Sequence, residues 1–144
     1  MIYVQVLLLG IAAGLRTLVA PAAVMLFFQL PGAWVAAVLA LFEMYGDKSP
    51  KAPPRTAAPA LAARLLFGAL CGFALVYWGV RRPWSPPQLA WEAAVLGLVG
   101  ALAGAFGGMY VRVELSRPGM FPALAVALAE DAVAIGLAFV AVTL

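Results

Sequence analysis

Residues 43–55 read E-M-Y-G-D-K-S-P-K-A-P-P-R and hold five of the fifteen formally charged side chains in a chain of 144 residues. Long apolar runs lie on either side. The chain is 66% hydrophobic and 10% charged, whereas soluble domains are about a quarter charged. A protein folded in water spreads its charges over its whole surface. One that gathers them at a single turn between hydrocarbon segments has a bilayer for its solvent. The expected fold is all-α, a polytopic transmembrane helical bundle forming one integral membrane domain over residues 1–144. The apolar runs are continuous rather than alternating, which argues against a transmembrane β-barrel.

Working outward from this stretch, five spans are expected. The first covers residues 2–28, with Gly10 and Gly14 four apart, and Arg16 and Pro21 predict a kink or break between them. Ala20-Pro21-Ala22 resembles a signal-peptidase site, but no positive segment precedes the apolar run and Arg16 interrupts it, so it is read as a membrane helix. After Leu30-Pro31-Gly32 a second helix spans residues 33–45 and stops at Gly46. Residues 47–59 contain four prolines and three basic side chains and form the one substantial loop. A third helix occupies residues 60–80, with Arg64 near its start and Gly68 and Gly72 four apart. The Arg81-Arg82-Pro83-Trp84-Ser85-Pro86-Pro87 turn stops it. The fourth, residues 88–115, carries a ladder of Gly100, Gly104 and Gly108 that lets another helix approach closely, and it suggests an oligomer seam. The fifth, residues 121–144, is interrupted by Glu130-Asp131.

Alternating the loops puts Lys48, Lys51, Arg55, Arg112 and Arg117 on one side and Arg81 and Arg82 on the other. The positive-inside rule then makes the N-terminus and the 47–59 loop cytoplasmic and the C-terminus external, in a multi-pass protein of a bacterial inner membrane. Trp34, Trp78, Trp84 and Trp91 all fall at the outer interface in this arrangement.

Helices 1–2 and 4–5 share an order of features: spaced glycines, an arginine, a proline turn, and an Ala/Leu helix ending in an acid. With helix 3 between them the two pairs form an inverted repeat, as in transporters whose sites lie at the repeat interface. Glu43 and Glu130 each lie about ten residues beyond a turn, hence roughly 15 Å deep. An ionised side chain there costs at least about 2.5–3.5 kcal/mol on insertion scales. These acids are therefore expected to face one another, an arginine, or water.

The candidate ion or substrate site comprises Arg16, Glu43, Asp47, Lys48, Arg55, Arg64, Glu130 and Asp131. Glu43 and Asp47 share a face if the second helix reaches Asp47. Of the adjacent pair Glu130-Asp131, whose side chains diverge by about 100°, Glu130 is expected to point to the bundle centre. The chain has no histidine, and its single cysteine, Cys71, lies in an apolar run. No Cys/His metal site, no catalytic residue and no cofactor is therefore expected. The net charge of +3 comes without a basic patch interleaved with aromatics, so no nucleic-acid partner is expected.

Taken together, Gly14-Leu15-Arg16-Thr17, the E-x3-D-K-x-P of Glu43, Asp47, Lys48 and Pro50, Arg55-Thr56, Arg64 followed by glycines, Arg112, and Glu130-Asp131 resemble a family of small bacterial integral membrane proteins of unknown function. The chain departs from that pattern at Gly107-Gly108-Met109-Tyr110, where relatives are more polar. The resemblance implies membrane placement and supports the choice of polar residues, but supplies no reaction. From the residues themselves, the leading expectation is a transporter- or channel-like protein, a homo-oligomer binding an ion or small anion. The alternatives are a non-catalytic scaffold with a structural ion-pair network and, least favoured, a lipid-phosphate-modifying enzyme using Asp47, Lys48 and Arg55.

Overall fold

A computed structural model describes residues 1–46, 57–79, 87–117 and 120–144. These form six helices with no strand among them: α1 (Ile2–Leu15), α2 (Val19–Phe27), α3 (Ala33–Gly46), α4 (Ala58–Gly79), α5 (Pro87–Leu115) and α6 (Ala123–Thr143). α4, α5 and α6 are long and apolar enough to cross a membrane, and α1 and α3 are shorter apolar helices.

The first apolar run divides in two. Arg16 is extended, with φ −139° and ψ 116°, and Leu18 begins the next helix. Pro21 explains the position of the break. In one continuous helix its ring would clash with the preceding turn and leave the Thr17 carbonyl without its bond. As the third residue of a new helix it is tolerated, because first-turn amides need no intrahelical acceptor.

α2 ends with Leu30 N–H donating to the Met25 carbonyl at 2.9 Å and Gln29 N–H to that of Leu26 at 3.2 Å. Gln29 sits at φ 52°. This is a Schellman stop, which is usually built on glycine. Pro31 and Gly32 (φ 84°) complete the turn into α3.

Glycine contacts set the centre of the bundle. A Cβ at Gly100 would meet the Leu7 carbonyl at 2.7 Å and Gly10 Cα at 3.0 Å, and one at Gly104 would meet Gly14 Cα at 3.0 Å. On the other face of α5, a Cβ at Gly68 would meet the Gly97 carbonyl at 2.7 Å, and Gly72 abuts the Ala93 carbonyl. Gly100 and Gly104 of the ladder expected to bind another copy are thus occupied within the chain by α1. Gly108 differs, facing the Leu15 side chain and a Glu130 carboxylate oxygen.

The same contacts give direction. Gly10 and Gly14 meet Gly100 and Gly104 in rising order, so α1 and α5 run parallel. Gly68 and Gly72 meet Gly97 and Ala93 in falling order, so α4 runs against both. Phe121 N–H donates to the Leu115 carbonyl at 3.3 Å, and Asp131 reaches Arg16. α6 therefore starts beside the end of α5 and descends antiparallel to it. Tyr3 Oη donates to Glu92 at 2.9 Å, placing the N-terminal ends of α1 and α5 together.

Five alternating spans would make α1 parallel to α4 and opposed to α5, and the contacts give the reverse. The cause is the α2–α3 pair. Glu43, near the end of α3, meets the start of α2, so this hairpin leaves and returns at one level and adds no net passage. The inverted orientation expected for helices 1–2 against 4–5 is accordingly not observed, since α1 and α5 run the same way. Residues 19–27 of α2 line a groove with residues 135–143 of α6, so the hairpin folds back along the side of α1.

Candidate functional site

The unwound link between α1 and α2 leaves carbonyls unpaired at the end of one helix and amides unpaired at the start of the next. Inside an apolar bundle each would carry a desolvation cost. Two side chains of opposite sign meet them. Glu43, from α3, accepts from Thr17 N–H at 2.8 Å through Oε1 and from Leu18 N–H at 2.7 Å through Oε2. Arg64, from α4 and buried, donates through Nη1 to the carbonyls of Gly14 and Leu15, the latter at 3.0 Å. A carboxylate at a helix N-terminus and a guanidinium at a C-terminus both complement the helix dipoles.

Arg16 is itself at the break, wholly buried, with Nη2 2.5 Å from Asp131 Oδ1 of α6. Glu130 is partly buried, with Oε1 3.3 Å from where a Cβ on Gly108 would stand. Two cations and three anions thus converge where the backbone is unwound. Among the described residues no group of acidic, histidine or cysteine side chains could hold a metal ion.

Of the predicted site, Arg16, Glu43, Arg64, Glu130 and Asp131 belong to this cluster, while Asp47, Lys48 and Arg55 lie outside the described residues. α3 is described as far as Gly46, so a helical face joining Glu43 to Asp47 lies outside the described residues. Asp131 is the acid paired with Arg16, and both carboxylate oxygens of Glu130 are buried as well, beside Gly108. The choice follows from helix phase: Asp131 lies in register with the buried Ala127, Ala134 and Ala138 at three- and four-residue spacing. Reasoning from side chains alone overlooked the backbone partners, the carbonyls of Gly14 and Leu15 and the amides of Thr17 and Leu18. Pro21 was the signal for them. It also overlooked Gly97, which packs against Gly68.

A second feature adjoins the break. An open groove of about 520 Å³ lies between α2, α3 and α6, walled by apolar side chains such as Ala22, Leu26, Ala40, Met44, Ala138 and Phe139.

Compared with family models, curated proteins and solved structures, the chain matches none.

Proposed function

We propose that this chain is a small integral membrane protein of transporter or channel type, whose polar site is the break between α1 and α2. The observation that carries the reading is the convergence of Arg16, Arg64, Glu43, Glu130 and Asp131 on an interrupted helix within an otherwise apolar bundle. Interrupted helices are a recurring way to present backbone and charge to an ion at membrane depth. Buried ionisable groups in such a setting mark ion or proton routes by default. The ligand class is an ion, a proton or a small anion, and the protein acts as a homo-oligomer. Resemblance to small bacterial membrane proteins supports the same placement.

In this reading the membrane is a bacterial inner membrane, crossed by α1, α4, α5 and α6 with α2–α3 re-entrant. Lys48, Lys51 and Arg55 lie between α3 and α4 in sequence, and Arg112 and Arg117 lie at or just beyond the end of α5. That end is cytoplasmic by the positive-inside rule. Tyr3 beside Glu92 puts the N-terminus at the opposite end, and the descent of α6 puts the C-terminus there too. Trp34, Trp78 and Trp91 fall at that outer end.

Liposomes containing the purified protein test the proposal by measurement of proton, cation and small-anion flux. The expected result is flux above empty vesicles that falls sharply in Asp131→Asn. Flux equal to that of empty vesicles would end it. A scaffold reading has its own support, since Glu43, Arg64 and Arg16 each already satisfy a helix end or an opposite charge. It predicts a fold-stabilising network with no flux, and a partner copurifying at fixed stoichiometry.

A further inference from the structure

We propose that Glu43 is a proton-binding latch. Ionised, it holds the α2–α3 hairpin closed on the break; protonated, it lets the hairpin move. The inference deepens the transport reading of the same site and takes its purpose from it, but its test does not depend on flux.

Three observations carry it. Each carboxylate oxygen of Glu43 accepts one backbone N–H, from Thr17 at 2.8 Å and Leu18 at 2.7 Å. An ionised carboxylate can accept both. A carboxylic acid carries its proton on one oxygen, which becomes a donor and a much weaker acceptor for the N–H it faces, so at least one of the two bonds weakens. The latch joins the last turn of α3 to the first turn of α2, directly beside the extended residue Arg16. That unwound link is a ready hinge, because no continuous helical ladder crosses it. Finally, the hairpin has room to move. An open apolar groove of about 520 Å³ runs between the hairpin and α6, and small residues, Ala22, Ala40 and Ala138, form part of its wall.

The charged groups around the latch come from three elements. Arg16 stands at the hinge, Arg64 reaches in from α4, and Glu130 and Asp131 belong to α6. Arg16 and Arg64 have partners outside α3, on Asp131 and on the α1 carbonyls. Protonating Glu43 therefore releases α3 without dismantling the rest of the cluster. The α1–α4–α5 glycine seam stays in place as the frame against which the hairpin moves.

The test uses the full chain in nanodiscs, with Cys71→Ala removing the native thiol and spin labels on Leu39→Cys of α3 and Val95→Cys of α5, both exposed positions. With Glu43 present, acidification should shift the interlabel distance distribution along a single-proton titration. Amide exchange at residues 17 and 18, corrected for intrinsic rates, should rise at least roughly tenfold. Glu43→Gln, a neutral isostere, should show the shifted distribution at every pH. Should that variant fail to fold, the titration of the protein retaining Glu43 decides alone. A distribution unchanged by acid overturns the latch, and so does a pH response that persists in Glu43→Gln. A shift without flux leaves the latch standing and removes transport; flux without a shift does the opposite.

Discussion

Arg16 Nη2 lies 2.5 Å from Asp131 Oδ1, tying the unwound end of α1 to the middle of α6 with the guanidinium entirely shielded. Removing one partner of a buried pair strands the other charge, at a cost of about 3–5 kcal/mol. Arg16→Gln and Asp131→Asn should each lower the unfolding temperature in detergent strongly. The double variant should recover a large part of either loss, giving a coupling energy above about 0.5 kcal/mol in a double-mutant cycle. Additive losses would show that the pair is not a unit.

Arg64 ties α4 to backbone, donating to the carbonyls that close α1. Arg64→Met leaves the Gly14 and Leu15 carbonyls without its donors and should cost about 1.5–3 kcal/mol, the range for a hydrogen bond to a charged group. Arg64→Lys should recover only part, since an ammonium lacks the fork that spans two acceptors. Thermal unfolding of the three proteins side by side checks the ranking.

The glycines divide by surroundings. A Cβ at Gly104 would collide with the Ile11 carbonyl, whereas nothing lies within 4 Å of one at Gly107 or Gly136. Gly104→Ala should destabilise by at least about 1–3 kcal/mol through overpacking. Gly107→Ala and Gly136→Ala should stabilise, by up to about 1 kcal/mol, from helix propensity. Equal effects at the three positions would contradict the seam described here.

Gln29 occupies left-handed backbone at φ 52°, a conformation that costs a residue bearing Cβ about 1–2 kcal/mol. Gln29→Gly should raise the unfolding temperature. A decrease would mean that the glutamine side chain contributes more than the backbone strain removes.

Parallel α1 and α5 with a returning hairpin bring both termini to one end of the bundle, which the proposed placement puts on one face of the membrane. Single cysteines added at the two ends, in a Cys71→Ala background, should react with the same sidedness toward a membrane-impermeant thiol reagent in intact cells. Opposite reactivity would restore five alternating spans.

Much of this molecule can be read from the chain. Five of the six helix positions follow from apolar runs bounded by Pro31-Gly32, Gly46 and the Arg81–Pro87 segment, and Arg16 with Pro21 marks the interruption that makes the sixth. Arg16, Glu43, Arg64 and the Glu130-Asp131 pair stand out for the same reason, as charges in hydrocarbon that require partners. Which partner each finds was not legible. A sequence lists side chains, and two of these charges answer to backbone groups exposed by a break whose exact place depends on packing. Which of Glu130 and Asp131 pairs with Arg16 depended on a helix rotation set by where Ala127, Ala134 and Ala138 are buried.

Composition and the length of the apolar runs determined that this protein is helical, with segments long and apolar enough to cross a membrane, and that its few charges must cluster, because burying unpaired charge and unpaired backbone among apolar groups is too costly to leave to chance. Tertiary structure alone decided direction. Whether a short apolar helix crosses or turns back depends on the contact between Glu43 and the amides of Thr17 and Leu18. Residues 25 positions or more apart meet there, and no local pattern of hydrophobicity encodes that meeting.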